Sequence, residues 1–557
     1  MKSNLLILLF VAIAYVGGGS KLFAQGSTTS TIVGTVKDEG GQPLPGTTVR
    51  AVHQPSGTNY GTATGADGRF SLPNVRVGGP YQITVSFVGY DDQTRDGIML
   101  SLGQTLNLSF TTQESSVQLQ DIIVQGRRDE ILNGERTGAD TKVTTEQIQS
   151  LPTIQRDLND FTRLTPQANL TNGGISIAGV NNRFNAIYID GAVNNDVFGL
   201  AASGTNGGQT NISPISLDAI DEIQVVVAPY DVKLGGFAGG GINAVTRSGT
   251  NEFEGSAYFL TRNEGLAGRR ASDDPNVERN KLAPFSANVT GFRLGGPVIK
   301  DKLFFFVNGE IERRETPAPF DFSEYNNEFV SQASVENFAN QLRNQYNYEP
   351  GGFENVTDEI RSDKIFARLD WNINQNHKLA LRHSYTYGES TAPSNSNSNG
   401  INFANGGVLF PSTTNSTALE LNSRFSNSFA NNLIIGYTTV RDDRDPIGQN
   451  FPNIFIRTGN IRAGSERFST ANQLDQDVFT ITNNFSWFKG AHTITLGTHN
   501  EFYSIYNLFI RRNYGEYTYR TIEDFVSGGA PTEYRRQYSL LDNVTGDGSA
   551  AAASFTA

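Results

Sequence analysis

The 557 residues contain no cysteine. That excludes a disulfide scaffold, a thiolate-ligated metal and a cysteine nucleophile, and leaves the redox compartment open. Five histidines leave little for metal chemistry. A basic excess is missing too: Lys plus Arg is 44 against 56 for Asp plus Glu, a formal charge of −12. Such a chain is poorly suited to polyanions, so nucleic acid and anionic lipid headgroups are not its main partners. Apolar residues are scarce at 37%, and past Val16 no run of about 18 apolar residues offers a membrane helix. Low apolar content can mean disorder, but disorder also needs few aromatics, and here 36 Phe and 20 Tyr bring aromatics to 10%. The composition fits a mainly β chain whose strands carry one apolar and one polar face. Length alone suggests roughly three or four domains.

Residues 1–24 read as an export signal. Lys2 supplies the positive start, Leu5 to Val16 is an unbroken apolar run of 12 residues, and Ala24 offers a small residue before Gln25. The run is too short for a hydrocarbon layer of ~30 Å. Loss of Lys2 and Lys21 with the signal takes the charge from −12 to −14. An exported chain without a membrane helix is either soluble or a membrane β-barrel.

Residues 25–112 predict a small β-sandwich. Short β-prone runs at Ile32 to Val36, Thr47 to Val52, Tyr60 to Thr64, Arg69 to Leu72, Tyr81 to Val88 and Thr105 to Phe110 are separated by turn residues such as Gly40-Gly41 and Ala66-Asp67-Gly68. His53 is expected to be a surface strand residue rather than a ligand. Gly34-Thr35-Val36, Pro45-Gly46-Thr47-Thr48-Val49, Ala66-Asp67-Gly68-Arg69-Phe70 and Val88-Gly89-Tyr90 resemble the carboxypeptidase regulatory-like domain, an accessory sandwich without peptidase activity.

Residues 113–128 form a linker, and 129–247 a compact α+β unit. Thr144 or Thr145 can cap a helix whose apolar face is Ile148, Leu151, Ile154, Leu158, Phe161 and Leu164, interrupted at Pro152. Ile187 and Ile189 lead into a turn at Asp190-Gly191. Strands follow at Ile223 to Val227 and Ile242 to Thr246. The run Gly235 to Gly241 lacks the lysine and hydroxyl of a phosphate loop and serves tight backbone turns instead. In the linker, Asp121, Ile122, Ile123, Val124 and Gln125 form a short β-prone stretch between polar segments. It suits strand addition to a partner's sheet edge, and reads equally as an edge strand of the unit that follows.

Asp121-Ile122-Ile123-Val124-Gln125-Gly126, Ile189-Asp190-Gly191, Asp221-Glu222-Ile223-Gln224-Val225, Gly239 to Thr246 and Arg247-Ser248-Gly249-Thr250-Asn251 together resemble TonB-dependent outer-membrane receptors, in particular the Oar-like branch with an N-terminal regulatory-like sandwich. The resemblance implies that 129–247 is a plug and that Asp121 to Gln125 hold the TonB box, although Gln125-Gly126 departs from the usual Thr or Ser there.

From residue 248 onward, windows alternate with period two. Ile365, Ala367, Leu369 and Trp371 oppose Arg368, Asp370 and Asn372; Leu379, Leu381, Tyr385 and Tyr387 oppose Arg382, Ser384 and Thr386; Leu419, Leu421 and Phe425 oppose Glu420, Asn422 and Arg424. With similar windows from Gly255 to Ile505, about nine strands are expected. Aromatics near strand ends (Tyr385, Tyr387, Trp487, Phe488, Tyr503 and Tyr506) suit interfacial girdles. Tight connections at Ile373 to Lys378 and Trp487 to Thr493 alternate with long ones at Arg313 to Ser362 and Arg441 to Gln476, the pattern of a membrane barrel. A plug of about 125 residues does not fit in a barrel of eight to ten strands; plugged transporters need ~22, more than the 310 residues from Ser248 to Ala557 provide. The expected architecture is therefore a sandwich, a plug and the N-terminal part of a large antiparallel barrel, with further strands beyond Ala557.

The function implied by resemblance is movement of a ligand across the outer membrane of a Gram-negative bacterium, with the sandwich in the periplasm, the wall in contact with outer-membrane lipid, and TonB as the energising partner. No residue pattern calls for a catalytic site or a cofactor. Plug-loop residues Asn181, Asn182, Arg183, Asn194, Asn195, Asp196 and Phe198 are candidates for contact with an extracellular ligand; Asn and aromatic content would suit sugars or peptides. Two other readings stand beside this one: a soluble adhesin of β-sandwiches, and a passive structural or adhesive outer-membrane protein without energised transport.

Overall fold

The computed structural model describes residues 26–115, 139–153, 156–171, 174–227, 229, 231–269, 279 and 281–537. The expected export signal and the expected TonB box at Asp121 to Gln125 lie outside the described residues.

Seven strands build the N-terminal sandwich: β1 (Thr29–Asp38), β2 (Thr48–His53), β3 (Thr58–Ala63), β4 (Arg69–Arg76), β5 (Gly78–Ser86), β6 (Gln93–Leu100) and β7 (Thr105–Thr112). Sheets β4-β1-β7 and β3-β2-β5-β6 enclose Ile32, Val36, Val49, Ala51, Tyr81, Ile83, Val85 and Phe110. The alternation of buried and half-buried residues along β1 and β5 is what seals one face of each sheet. Strand β6 escapes sequence reading because Asp96-Gly97 interrupts it and it lies at a sheet edge, largely exposed. His53 corrects the expectation of a surface residue: it is 3% exposed, its Nδ1 lies 2.7 Å from Ser56 Oγ, and its ring packs 5.0 Å from that of Tyr81. The period-two pattern places it on the inward face with Val49 and Ala51.

The plug centres on the sheet β12-β11-β14-β13-β8, made of β8 (Ala139–Val143), β11 (Ala186–Ile189), β12 (Ala192–Val193), β13 (Ile220–Val227) and β14 (Gly241–Thr246); β9 (Ala168–Thr171) and β10 (Gly174–Ile177) form a separate hairpin. The helical stretch splits, as proline requires, into α1 (Thr145–Ser150) and α2 (Leu158–Thr162) on either side of Pro152. Gln147 accepts the Thr144 N–H at 3.0 Å, and Asp157 accepts the Asp160 N–H at 3.0 Å, which satisfies the first turns. Ile148, Leu158 and Phe161 face the core with Ile187, Ile189, Ile223, Val225 and Ile242, whereas Leu164 lies past the end of α2 and is exposed.

Nine strands form the wall, each antiparallel to the next: β15 (Glu254–Asn263), β16 (Ser286–Ile299), β17 (Leu303–Ala318), β18 (Val356–Asn372), β19 (His377–Ala392), β21 (Val408–Arg424), β22 (Phe429–Pro446), β25 (Asn472–Lys489) and β26 (His492–Phe509). The sheet curves around the plug without closing. Its burial is inverted relative to a soluble protein. Ile365 is 63% exposed on the outer face while its neighbour Lys364 is 5% exposed inside; Leu369, Trp371, Leu381, Phe425 and Phe479 follow Ile365, and Arg382, Glu420 and Thr480 follow Lys364. An apolar outer face over a polar lumen face is what lipid selects. Two expected girdle residues are corrected. Phe488 neighbours the outward Trp487 and shares the lumen face with Thr480, Thr482 and Asn484. Tyr503 pairs with the buried Val478 and donates to Glu501 on the lumen face, because period two sets it opposite Phe502 and Tyr506.

The long connections fold together. Helix α3 (Gln332–Tyr346), helix α4 (Ile522–Val526) and a sheet of β20 (Ile401–Asn402), β24 (Ile461–Ala463), β23 (Asn453–Ile456), β27 (Glu516–Tyr519) and β28 (Glu533–Arg535) enclose one core of Val335, Phe338, Leu342, Phe403, Ile454, Ile456, Ile461 and Phe525. We call this unit the cap. It stands at the end of the wall opposite the short turns and the sandwich.

Candidate functional site: the seat of the plug

The plug is held by polar groups arranged in tiers along the lumen. In the lowest tier the chain leaves β11 through Asp190 and Gly191, both at positive φ (46° and 72°). A Cβ on Gly191 would come within 2.6 Å of Ile434 on the wall, so the turn can approach the wall only without a side chain. The turn aims the Asp190 carboxylate at two wall arginines: Arg382 Nε lies 3.0 Å from Oδ2 and Arg368 Nη1 lies 3.2 Å from Oδ1. Thr246 on β14 donates to the same carboxylate from its N–H at 2.9 Å and its hydroxyl at 2.7 Å. Arg368 is also paired with Asp370 at 2.8 Å, and Arg382 donates to the Ile189 carbonyl at 2.6 Å. All these groups are largely buried, where a charge without a partner is strongly disfavoured.

Higher along the wall, Ser216 of the plug donates to Glu310, which is paired with Lys364 at 2.9 Å and accepts from Tyr258 at 2.6 Å. Asp218 of the plug pairs with Arg293 at 2.9 Å. Nearby, burial and the Arg293 guanidinium lower the affinity of Arg247 for its proton, and burial with the Asp160 carboxylate raises that of Asp157. Towards the cap, Gln209 donates to Asp442 at 3.0 Å and accepts from Arg444 at 2.7 Å, and Thr386 donates to the Pro214 carbonyl at 2.9 Å. Phe306 and Phe366 of the wall add apolar contact with the plug core.

Of the plug-loop candidates, several serve the loops themselves. Asn182 donates to the carbonyls of Ala201 and Ala202, Asn195 accepts the Ile187 N–H at 2.5 Å, and Asp196 accepts the N–H groups of Phe198, Leu200 and Ala201. Asn194 is buried and its N–H bonds the Ile187 carbonyl. Asn181, whose side chain accepts the Arg183 N–H, remains exposed with Arg183 and Phe198. Phe184 and Leu200 share that exposure and were missed, since an isolated apolar residue in a loop carries no periodic signal. Sequence reading also missed the tiers: Asp190 was seen only as a turn residue, and Arg368 and Arg382 only as the polar faces of strands. Among the described residues no group of His, Asp and Glu is placed to hold a metal ion, and no helix is long and apolar enough to cross a membrane.

Comparison with known proteins matches the same three parts. The carboxypeptidase regulatory-like domain matches residues 31–113, the TonB-dependent receptor plug domain residues 134–242, and the outer-membrane β-barrel domain residues 245–347 and 323–556. The chain is 27% identical over 382 residues to the TonB-dependent transporter Oar of Myxococcus xanthus, covering 65% of this chain and 34% of that protein. It is 30% identical over 188 residues to the probable TonB-dependent siderophore receptor PirA of Acinetobacter baumannii, covering 31% of this chain and 22% of that one. The chain thus spans about a third or less of the length of these relatives. Among solved structures, the outer-membrane transporter YddB from Escherichia coli superposes with a TM-score of 0.50 at 14% identity, over 71% of this chain and 51% of that one, a likeness of fold. The relatives are transporters and receptors, not enzymes. In this family the barrel lies in the outer membrane and the plug and N-terminal domain face the periplasm. The chain belongs to the outer-membrane β-barrel family of TonB-dependent receptors, in the Oar-like arrangement that sets a carboxypeptidase regulatory-like domain before the plug.

Proposed function

We propose that this receptor carries a ligand across the outer membrane with energy delivered by TonB. The observation that supports it most is the seating of the plug. A core domain meant to stay put would bury a continuous apolar face against the wall. Here Asp190, Ser216, Asp218 and Gln209 meet the wall through ion pairs and hydrogen bonds, which can be exchanged for water one tier at a time. A pull on the linker at Asp121 to Gln125, paired as an added strand with TonB, would strain those tiers in turn. The energy would derive from the inner-membrane proton gradient, because the periplasm holds no nucleotide to hydrolyse. Asn181, Arg183 and Phe198, with Phe184 and Leu200, are the plug residues we assign to ligand contact.

The test is retention of the TonB C-terminal domain by an immobilised peptide, Leu119 to Arg128, and its loss with Ile123→Pro, which removes an amide from the added strand. Equal retention by both peptides, or by neither, would overturn the assignment of the box. A passive structural protein predicts that Ile123→Pro in the receptor changes nothing in uptake; an energised transporter loses uptake and keeps surface binding.

A further inference from the structure

The sandwich is not a pendant domain. Its β2–β3 hairpin and the adjoining turns lie across the short-turn end of the wall. The Asn251 N–H donates to the Pro55 carbonyl at 2.8 Å, and Asn372 donates to the Thr58 hydroxyl at 3.0 Å. Arg424 donates to the Thr62 hydroxyl, and Asn74 donates to the Asn431 carbonyl at 3.2 Å. The Lys378 ammonium sits 4.3 Å above the Tyr60 ring. Asn251 lies on the segment that leads from the plug into β15, and the other partners lie at the ends of β18, β19, β21 and β22 beside the short turns, so the sandwich bridges several staves at once.

The sandwich also grips the plug. The Leu102 N–H, at the turn between β6 and β7, lies 3.1 Å from each oxygen of the Glu222 carboxylate on β13. Val77 and Leu102 pack on Val245 of β14 in a small closed apolar cluster. The segment leading into β1 goes further and enters the gap between plug and wall. Asn243 of the plug donates to the Ser27 carbonyl at 2.5 Å, and Thr28 donates to Glu420 of the wall at 2.6 Å. A Cβ on Gly26 would come within 2.8 Å of Tyr188, and one on Gly191 within 3.0 Å of Thr28, so plug and segment touch closely. The plug therefore has a floor. To move toward the periplasm, β13 and β14 must displace the sandwich and withdraw Gly26 to Thr28 from the lumen.

We propose that the regulatory-like sandwich is a second gate of this receptor, a clamp seated on the periplasmic mouth that holds the plug until it is lifted. The linker from residue 113 to 138 joins the end of β7 to the start of β8. A force applied there acts between sandwich and plug, the contact that has to open first. The purpose of the gate rests on the transport reading above; the clamp itself does not, and is tested without TonB or ligand.

The 557 residues contain no cysteine, so a pair introduced as Thr58→Cys and Asn372→Cys has no competitor among them. In the full receptor in its native outer membrane, a short bismaleimide should join the pair, with each single-cysteine receptor as control. The receptor, purified in detergent, is then followed by hydrogen–deuterium exchange of plug residues 220–246. The cross-linked receptor should exchange several-fold more slowly there than the same receptor left unlinked. A Lys378→Ala/Arg424→Ala receptor, altered only where the wall meets the sandwich, should exchange several-fold faster than the parent. No cross-link above the controls would show that the sandwich is not docked. A cross-link that leaves exchange of 220–246 unchanged would show that docking does not restrain the plug. Either result overturns the clamp, and neither bears on whether TonB energises transport.

Discussion

The Asp190 carboxylate of the plug lies 3.0 Å from the Arg382 guanidinium of the wall, and Arg382 is only 3% exposed. This pair crosses the boundary between plug and wall. Asp190→Ala leaves Arg382 in the lumen without its carboxylate, while Arg368 keeps Asp370. Removing one partner of a buried pair costs roughly 3–5 kcal/mol. We expect the plug of the Asp190→Ala receptor to leave the wall at lower urea concentration than the parent, read by limited proteolysis of the plug, with the wall intact. Release at the parent's midpoint would remove this pair from the seat.

The inverted burial of the wall predicts opposite tolerances for adjacent residues. Ile365→Arg places a charge on the outer face, where the cost near the hydrocarbon midplane is roughly 2–4 kcal/mol, whereas Ile365→Val should be close to neutral. The amount of folded receptor in the outer membrane, measured as heat-modifiable migration, should fall for the first variant and hold for the second. Normal assembly of Ile365→Arg would mean that this face does not meet lipid.

The cap depends on Phe338, which is fully buried, 5.0 Å from the Phe525 ring and 5.9 Å from the Phe403 ring. Phe338→Ala should destabilise it by about 3–5 kcal/mol. Because Phe525 and Phe403 come from other connections, loops around α3, β20 and α4 should become sensitive to external protease together, on whole cells, while wall strands stay protected. Cleavage confined to the α3 loop would show that the loops fold separately.

Acid should loosen the sandwich through His53. Burial, then the nearby Arg76 charge, lowers its pKa from 6.5 to about 3. The unfolded chain therefore binds the proton first as pH falls, so the contribution of His53 is complete above about pH 6.5 and shrinks from there down to about pH 3. At pH 5 the loss is about 2 kcal/mol. Hydrogen exchange of β2, corrected for intrinsic rates, should show less protection at pH 5 than at pH 7, and His53→Gln should flatten the difference. Equal protection in the parent at both values would place His53 in contact with solvent.

Much of this architecture is legible in one dimension. Alternation at Ile365 to Asn372 and at Leu379 to Tyr387 assigned each side chain to its face, because a strand in lipid has two environments and period two maps directly onto them. Pro152 split the plug helix where the missing amide demands it, and the nine expected wall strands are those observed. Local rules suffice when the determining contact is a neighbour in sequence or the solvent itself.

Other features depend on residues far apart in the chain. Asp190 meets Arg382 across 192 positions and Thr28 meets Glu420 across 392. Arginine or glutamate on a polar strand face looks alike whether it faces water or a partner. The cap is the clearest case. Phe338, Phe403, Ile454 and Phe525 of its core come from four different connections, and sequence reading saw only long connections; brought together at one end of the wall, they close around Phe338 and Phe525. The chain by itself determined which residues face lipid and where strands turn, because those depend on local periodicity. Which charges hold the plug, and which loops share a core, was decided only once the wall had curved and brought its distant staves to the same place.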